Sequence, residues 1–271
     1  MTLQEAYLYA QNCLNKNGVD EADFKSLCLV CSLAGIENSE FQLHKQDEFD
    51  EVKITEPLLR ILGGEPLQYI LGEWDFYDSK FKVGEGVLIP RPETEELVDL
   101  AISATKNCDS PVIYDLCAGS GCIGISIAKA VPQSTVYCVE KSREAIAYLY
   151  QNAKGIDNLH VILGDITKPL DLPPADIIVS NPPYIKTADI RDLQSEVHFE
   201  PQMALDGGAD GLVFYRAINE IVQTNLKHSG ALLLEIGNEQ GEDVPNVLTN
   251  LKDTEVIKDI YGNNRMVRAV K

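Results

Sequence analysis

Apolar and polar positions along this chain follow two regimes. Through residue 65 they recur at helical spacing. Leu3, Ala6, Tyr7, Ala10, Cys13 and Leu14 share one face, behind Thr2 and Glu5 at capping-box separation. Gly18 predicts the stop of that helix and Asp20 the cap of the next. There Leu27, Cys28, Val30 and Cys31 are apolar, and Gly35 marks the end. "NSEFQLHKQ" and "EPLLRILGG" predict two further short helices, and Gly63-Gly64-Glu65-Pro66 reads as a boundary. Residues 72–89 change character. Trp74, Phe76, Phe81, Val83, Val87 and Ile89 predict short strands around an Asp78-Ser79 turn, a β-hairpin within a linker over 66–92. Pro92 and the acids after it predict a helix start, with Leu97, Val98, Leu100 and Ala101 as its apolar stripe.

From residue 112 onward, apolar runs of strand length alternate with helical segments. Strands are expected at 112–117, 134–139, 159–163, 176–180, 230–236, 254–260 and 265–270. Helices are expected at 122–130, 142–153, 212–226 and 240–251. This alternation predicts an α/β domain over 93–271, a seven-stranded, mostly parallel sheet covered on both faces. Only "YGNNR" separates the last two strands, so the seventh is expected to run antiparallel. The expected organisation is a small N-terminal helical domain (1–65), a linking hairpin and a Rossmann-like domain.

Composition narrows the function classes. A net charge of −19 repels a phosphate backbone, and no basic cluster offsets it, so direct nucleic-acid binding is not expected. No apolar run approaches the roughly 20 residues of a membrane helix. The first residues lack a basic leader and a signal-like apolar core, which predicts a cytoplasmic protein. Cys28 and Cys31 form a lone CxxC without a second pair or spaced histidines, so reduced buried thiols are expected rather than a metal site.

Candidate chemistry begins at "VIYDLCAGSGCIGISIA". Asp115 closes a strand, and Gly119, Gly121 and Gly124 lead into a helix, a loop that lets backbone approach a ligand. Glu140 ends the next strand, where an acid can grip two ribose hydroxyls. Gly119-Ser120-Gly121-Cys122-Ile123-Gly124 also matches the dinucleotide pattern, so a nicotinamide or flavin enzyme stays open. Against it, Leu116, Cys117 and Ala118 separate strand from glycine. Asp115 also suits an ammonium group better than a pyrophosphate. Asp165, after "VILG", can accept from an adenine amino group or simply cap the next segment. Asp115, Glu140, Asp165 and Asn181 all fall at strand carboxyl ends, where open α/β sheets bind ligands.

"SNPPYI" supplies the second half. Asn181 offers a side-chain carbonyl and Pro182 a backbone one. Pro182 and Pro183 stiffen the chain, and Tyr184 presents a ring. Two adjacent acceptors match a planar NH2 group, which leaves adenine N6 and a glutamine amide both open. Together with the glycine loop, the stretch resembles the S-adenosylmethionine-dependent methyltransferases that alkylate planar nitrogens.

"PLQYILGEWDFY", "VLIPRPETEELV", "SNPPYI", "EPQMALDGGADGLVFYR" and "LLLEIG" resemble the peptide chain release factor glutamine methyltransferases, the PrmC/HemK family, from about residue 66 to the end. The resemblance implies a donor site of Asp115, Cys117, Ala118, Gly119, Ser120, Gly121, Glu140, Asp165, Ile166 and Asn181 for S-adenosyl-L-methionine. It implies catalysis by Asn181, Pro182 and Tyr184. Asn181, Pro182, Pro183 and Tyr184 would hold the glutamine of a Gly-Gly-Gln loop in class-I release factors. A monomer with an N-terminal substrate-recognition domain is expected. Cys117 and Ala118 stand where a glycine and a small hydroxyl residue are common, Glu140 where Asp is common, and Ile166 where an aromatic often covers adenine.

Overall fold

The computed structural model describes residues 1–271, apart from the side chain of Asn107. It divides into two compact units, Met1–Glu73 with Gln194–Phe199, and Trp74–Leu193 with Glu200–Lys271. In the first unit, α1 (Leu3–Lys16) opens on the expected capping box. Thr2 Oγ1 accepts from the Glu5 N–H at 3.2 Å, and a Glu5 carboxylate oxygen accepts from the Thr2 N–H at 2.8 Å. The helix buries Leu3, Ala6, Ala10 and Leu14. Helix α2 (Ala22–Ala34) ends on left-handed Gly35, as its sequence predicts, but Asp20 does not cap it. Glu21, at φ 56°, turns the chain into the helix and leaves Asp20 exposed before it. Helices α3 (Phe41–His44), α4 (Val52–Leu62) and α5 (Leu67–Leu71) complete the unit. Helix α4 starts before the expected segment and carries Pro57 inside it, with Ile54, Leu58 and Ile61 buried on one stripe. Lys25 pairs with Glu196, tying Gln194–Phe199 into this unit.

The hairpin is β1 (Glu73–Phe76) and β2 (Ser79–Lys82), turning at Tyr77, whose φ is 53°. Val87 and Ile89 do not extend it. Gly86 adopts φ 95° and Pro90 follows, so 84–91 is a loop that buries Val87 and Ile89 all the same. The remaining elements are α6 (Glu95–Ala104), β3 (Val112–Leu116), α7 (Cys122–Ala130), β4 (Thr135–Glu140), α8 (Arg143–Asn152), β5 (Leu159–Leu163), β6 (Ala175–Ser180), α9 (Val213–Asn225), β7 (Leu226–Glu235), α10 (Asp243–Val247), β8 (Lys252–Lys258) and β9 (Asn264–Val270). Helix α10 is shorter than the expected 240–251, because Leu248 leaves helical geometry at ψ 52°.

The seven strands lie in the order β5-β4-β3-β6-β7-β9-β8. Pairing is parallel from β5 through β7, and β9 runs antiparallel to both β7 and β8, as the short connection predicts. One face packs Leu97, Val98, Ile123, Ile127, Ile146 and Leu149 from α6, α7 and α8. The other packs Tyr215, Ile218, Val222 and Val244 from α9 and α10. Both sheet faces are therefore dry, and the chain can open a ligand cavity only past the strand ends.

Candidate active site

Past the carboxyl ends of β3, β4 and β6 lies a cavity with about 960 Å³ of empty space, its open mouth included. Small-molecule sites span roughly 300–1,000 Å³. One wall is the glycine loop with its two supporting strands: Cys117, Ala118, Gly119, Ser120, Glu140, Asp165 and Ile166 all line it. Carboxylates hold this wall through its backbone. Glu140 accepts from the Gly119 N–H at 2.7 Å with one oxygen and from the Ser142 N–H at 2.6 Å with the other. Each oxygen keeps a lone pair for a ligand hydroxyl. Asp165 accepts from Thr167 through both N–H (3.0 Å) and Oγ1 (2.7 Å), and pairs with Lys141 at 3.0 Å. Burial pushes the Asp165 carboxyl up, but the Thr167 and Lys141 contacts outweigh it and hold it at about 2. The capping role that the sequence left open for Asp165 is therefore present, on a residue that also faces the cavity.

Two expected donor-site residues do not reach the cavity. Asp115 is fully buried, and one of its oxygens accepts from the Gly124 N–H at 2.8 Å, behind the loop. Burial, reinforced by the nearby Glu140 charge and opposed by the Gly124 bond, lifts its carboxyl to about 7. Its side chain braces the loop from the core and presents no surface to an ammonium group. Gly121 caps α7 at φ 83°, and a Cβ there would sit 2.2 Å from Leu149 Cδ1. Its glycine requirement comes from α8, not from a ligand. Gly119 is the reverse case: at φ 56°, on the cavity wall, a Cβ would meet nothing within 4 Å. Cys117 stands at φ 60°, left-handed backbone that favours glycine.

The facing wall carries Asn181, Pro183, Thr94, Ile89, Arg91, Met203 and Phe214. Asn181 Nδ2 donates to Thr94 Oγ1 at 3.3 Å, which leaves its Oδ1 for a ligand. Pro182 and Tyr184 do not line the cavity. Pro182 is buried, and the Tyr184 ring packs into the sheet–α9 core. Burial, with the Glu235 charge beside it, pushes the Tyr184 hydroxyl up to about 12, so it stays neutral. The glycines of "EPQMALDGGADGLVFYR" press on this loop rather than on a ligand: a Cβ at Gly207 would lie 2.8 Å from Pro183 O, and one at Gly211 2.5 Å from Tyr184 O. Asp210 accepts from the Leu212 N–H at 3.1 Å in the turn before α9, but the helix itself, whose N-cap is Leu212, has no side-chain cap bond. Buried Glu200 accepts from the Ile89 N–H at 3.0 Å and pairs with Arg91, fixing the 89–91 edge of the wall.

Neither Thr94 nor Glu235 stands out in the sequence as a site residue. The strand-end rule that picks out Glu140 and Asn181 also picks out Glu235, the last residue of β7. Among the described residues, no group of three or more His, Cys, Asp or Glu could hold a metal, and the seven cysteines are free thiols. No helix is long and apolar enough to cross a membrane. The cavity fits a cationic nucleoside. Glu140 and Asp165 supply negative charge, Ile166 and Val139 apolar lining, and Gly119 an uncrowded backbone approach.

Two family models match this chain: the methyltransferase small domain over residues 98–209 and the PrmC N-terminal domain over residues 5–72. Among curated proteins, the release factor glutamine methyltransferase of Thermodesulfovibrio yellowstonii is 43% identical over 215 residues, covering 77% of this chain and 77% of that protein. The Streptococcus pneumoniae protein of the same name is 39% identical over 246 residues, 87% of each chain. The Moorella thermoacetica one is 31% identical over 280 residues, covering 100% of this chain and 99% of its own.

Proposed function

This chain belongs to the release factor glutamine methyltransferases, and from that premise we propose how its cavity works. It is an S-adenosylmethionine-dependent enzyme that methylates a release factor glutamine. The family decides among the readings the sequence left open, in favour of the glutamine amide over adenine N6 or a dinucleotide. The finer reading is that the target is the glutamine of a Gly-Gly-Gln loop in class-I release factors, modified on its side-chain nitrogen. A single observation carries it: Asn181 stands on the wall of the cavity that the glycine loop also lines, with its NH2 turned to Thr94 and its oxygen left for a ligand.

When bound, S-adenosylmethionine supplies an electrophilic sulfonium methyl. Gly119, Glu140, Asp165 and Ile166 would hold it, with the Glu140 lone pairs turned to the ribose. The glutamine nitrogen is a weak nucleophile because its lone pair is delocalised into the carbonyl. Asn181 Oδ1 accepts one of its N–H groups and favours the partly pyramidal, positive nitrogen of the transition state, while Pro182, buried off the cavity wall, stiffens the loop that presents it. Alignment supplies the rest, at an approach of roughly 3–3.5 Å. Tyr184 is neutral and packed away, so it orders the Asn181 loop rather than taking the proton, which passes to water.

The N-terminal unit is the proposed recognition element. Stable protein interfaces bury roughly 800 Å² per partner, more than a single glutamine pocket offers. This unit exposes Tyr9, Phe24, Leu43, Val52 and Leu59. With a net charge of −19, the protein is read as a cytoplasmic monomer that does not itself bind nucleic acid.

The direct test is to incubate the protein with isotopically labelled S-adenosylmethionine and a purified class-I release factor, then map the label by peptide mass spectrometry. One methyl on the Gly-Gly-Gln glutamine side chain is expected. Label on another residue, or on an adenine-containing oligonucleotide in preference to the protein, would overturn the reading.

A further inference from the structure

A primary amide presents nearly the same shape after a half-turn, but acceptor and donor change places. If Asn181 is to accept an N–H from its substrate, the protein must forbid the flipped state. The buried cluster behind it contains a device that does so. Strands β6 and β7 pair with Ser180 opposite Leu234, so Asn181 and Glu235 emerge side by side from adjacent strand ends. Thr94 reaches the same point from the turn before α6. Thr94 Oγ1 donates to Glu235 Oε2 at 2.6 Å and accepts from Asn181 Nδ2 at 3.3 Å. Thr94 and Glu235 are each 2% exposed, so water does not reach the bond between them, and the Asn181–Thr94 bond is part-buried at the cavity wall.

The polarity runs one way. An ionised carboxylate only accepts. In its ionised form Glu235 therefore accepts the single Thr94 hydroxyl hydrogen, and it accepts from the Asn181 side chain as well. Thr94 is left with lone pairs alone toward Asn181, so the NH2 must face inward and the oxygen outward. A flipped Asn181 would place an oxygen against the lone pairs of buried Thr94 Oγ1, a costly unsatisfied contact. We propose that Thr94 and Glu235 are positioning residues that fix the Asn181 amide with its oxygen toward the substrate nitrogen. The proposal rests on the reading of Asn181 as the substrate acceptor.

The cluster shows what this costs. Burial pushes the Glu235 carboxyl up to about 7, opposed by the Thr94 and Asn181 hydrogen bonds and the Arg265 charge, while Glu93 adds repulsion, so the direction is imposed by the ionised form that prevails above about 7. A buried acid of this kind is a poor way to stabilise a strand end. It is an effective way to impose hydrogen-bond direction.

The test compares full-length Thr94→Val, which keeps the shape and removes the hydroxyl, with Thr94→Ser, which keeps the hydroxyl. Single-turnover methylation of release factor at saturating donor is measured beside donor affinity by calorimetry. Thr94→Val is expected to slow transfer about tenfold through misalignment. Its donor dissociation constant should stay within about twofold of wild type, and Thr94→Ser should restore the rate. In an Asn181→Ala background Thr94→Val should cost nothing further, because the amide it orients is gone. Glu235→Gln provides a second route if Thr94→Val folds poorly, with the same expectation: slower transfer, and no added loss without Asn181. A wild-type rate in a folded Thr94→Val or Glu235→Gln would overturn the proposal. So would an undiminished loss in the Asn181→Ala background, the mark of a purely structural role. A full rate in Asn181→Ala itself would instead remove the acceptor reading on which the proposal stands.

Discussion

The two walls of the cavity are built by opposite means. On the glycine-loop wall backbone as well as side chains line the cavity, and carboxylates hold that backbone: Glu140 binds the Gly119 and Ser142 amides, and Asp115 binds Gly124. On the Asn181 wall a side chain meets the ligand and other side chains hold it, through Thr94 and Glu235. The first arrangement suits a ligand bound in one pose, since oriented N–H groups reorganise little. The second suits a reacting group whose direction must be set without moving the chain. Damage to the loop wall should therefore appear in donor affinity and fold stability, and damage to the Asn181 wall in rate.

Glu140→Ala is the largest expected break on the loop wall. It removes charged acceptors from two amides and from the ribose, so the donor dissociation constant should rise on the order of 10–100-fold. Turnover at saturating donor should change by no more than a few-fold. Unchanged affinity by calorimetry would reduce Glu140 to a loop brace.

The two glycines sharpen the contrast within one loop. Gly121→Ala drives a Cβ into Leu149 at left-handed φ, and about 2 kcal/mol of stability should be lost in denaturant titration. Gly119→Ala meets open space and should cost about 1 kcal/mol for its left-handed backbone, yet weaken the donor more than its stability loss implies. If both variants lose stability and affinity in the same proportion, the loop has no separate ligand side.

The smallest effect belongs to Asp115. Its folded carboxyl is lifted to about 7, above its unfolded value, so the folded protein binds that proton more tightly than the unfolded chain. This contribution is complete below the ordinary carboxylate range and is lost as pH rises through about 7. Asp115→Asn cannot ionise and still offers Gly124 an oxygen. It should melt roughly 2–4 °C above wild type at pH 8, about 1 kcal/mol in a chain of this length, and lose that advantage by pH 4. Parallel melting profiles from pH 4 to 8 would contradict the assignment of Asp115 to the core.

The strand ends were legible in the sequence, because buried parallel strands are continuous apolar runs and the residue after each run is polar. Which side chains then turn into the cavity was not legible. Asp115 and Glu140 both lie near the ends of neighbouring strands, yet Asp115 pairs with Cys138, two positions short of Glu140, and points behind the loop while Glu140 lies along its rim. That difference follows from the α7 N-terminus, whose Gly124 amide claims Asp115. Val87 and Ile89 alternate like a strand, but Gly86, whose Cβ would lie 2.8 Å from Glu144 Cβ, makes them a buried loop. Thr94 and Glu235 are 141 positions apart, and no local pattern joins them.

The central claim is that the walls divide the work, donor holding on one side and nitrogen alignment on the other. Asn181→Ala tests it most directly, with donor affinity by calorimetry and single-turnover transfer to release factor measured on the same preparation. The account predicts transfer slowed on the order of 100-fold, as when one oriented transition-state contact is removed, with donor affinity within a few-fold of wild type. Transfer at the wild-type rate, or a loss that more donor restores, would contradict it.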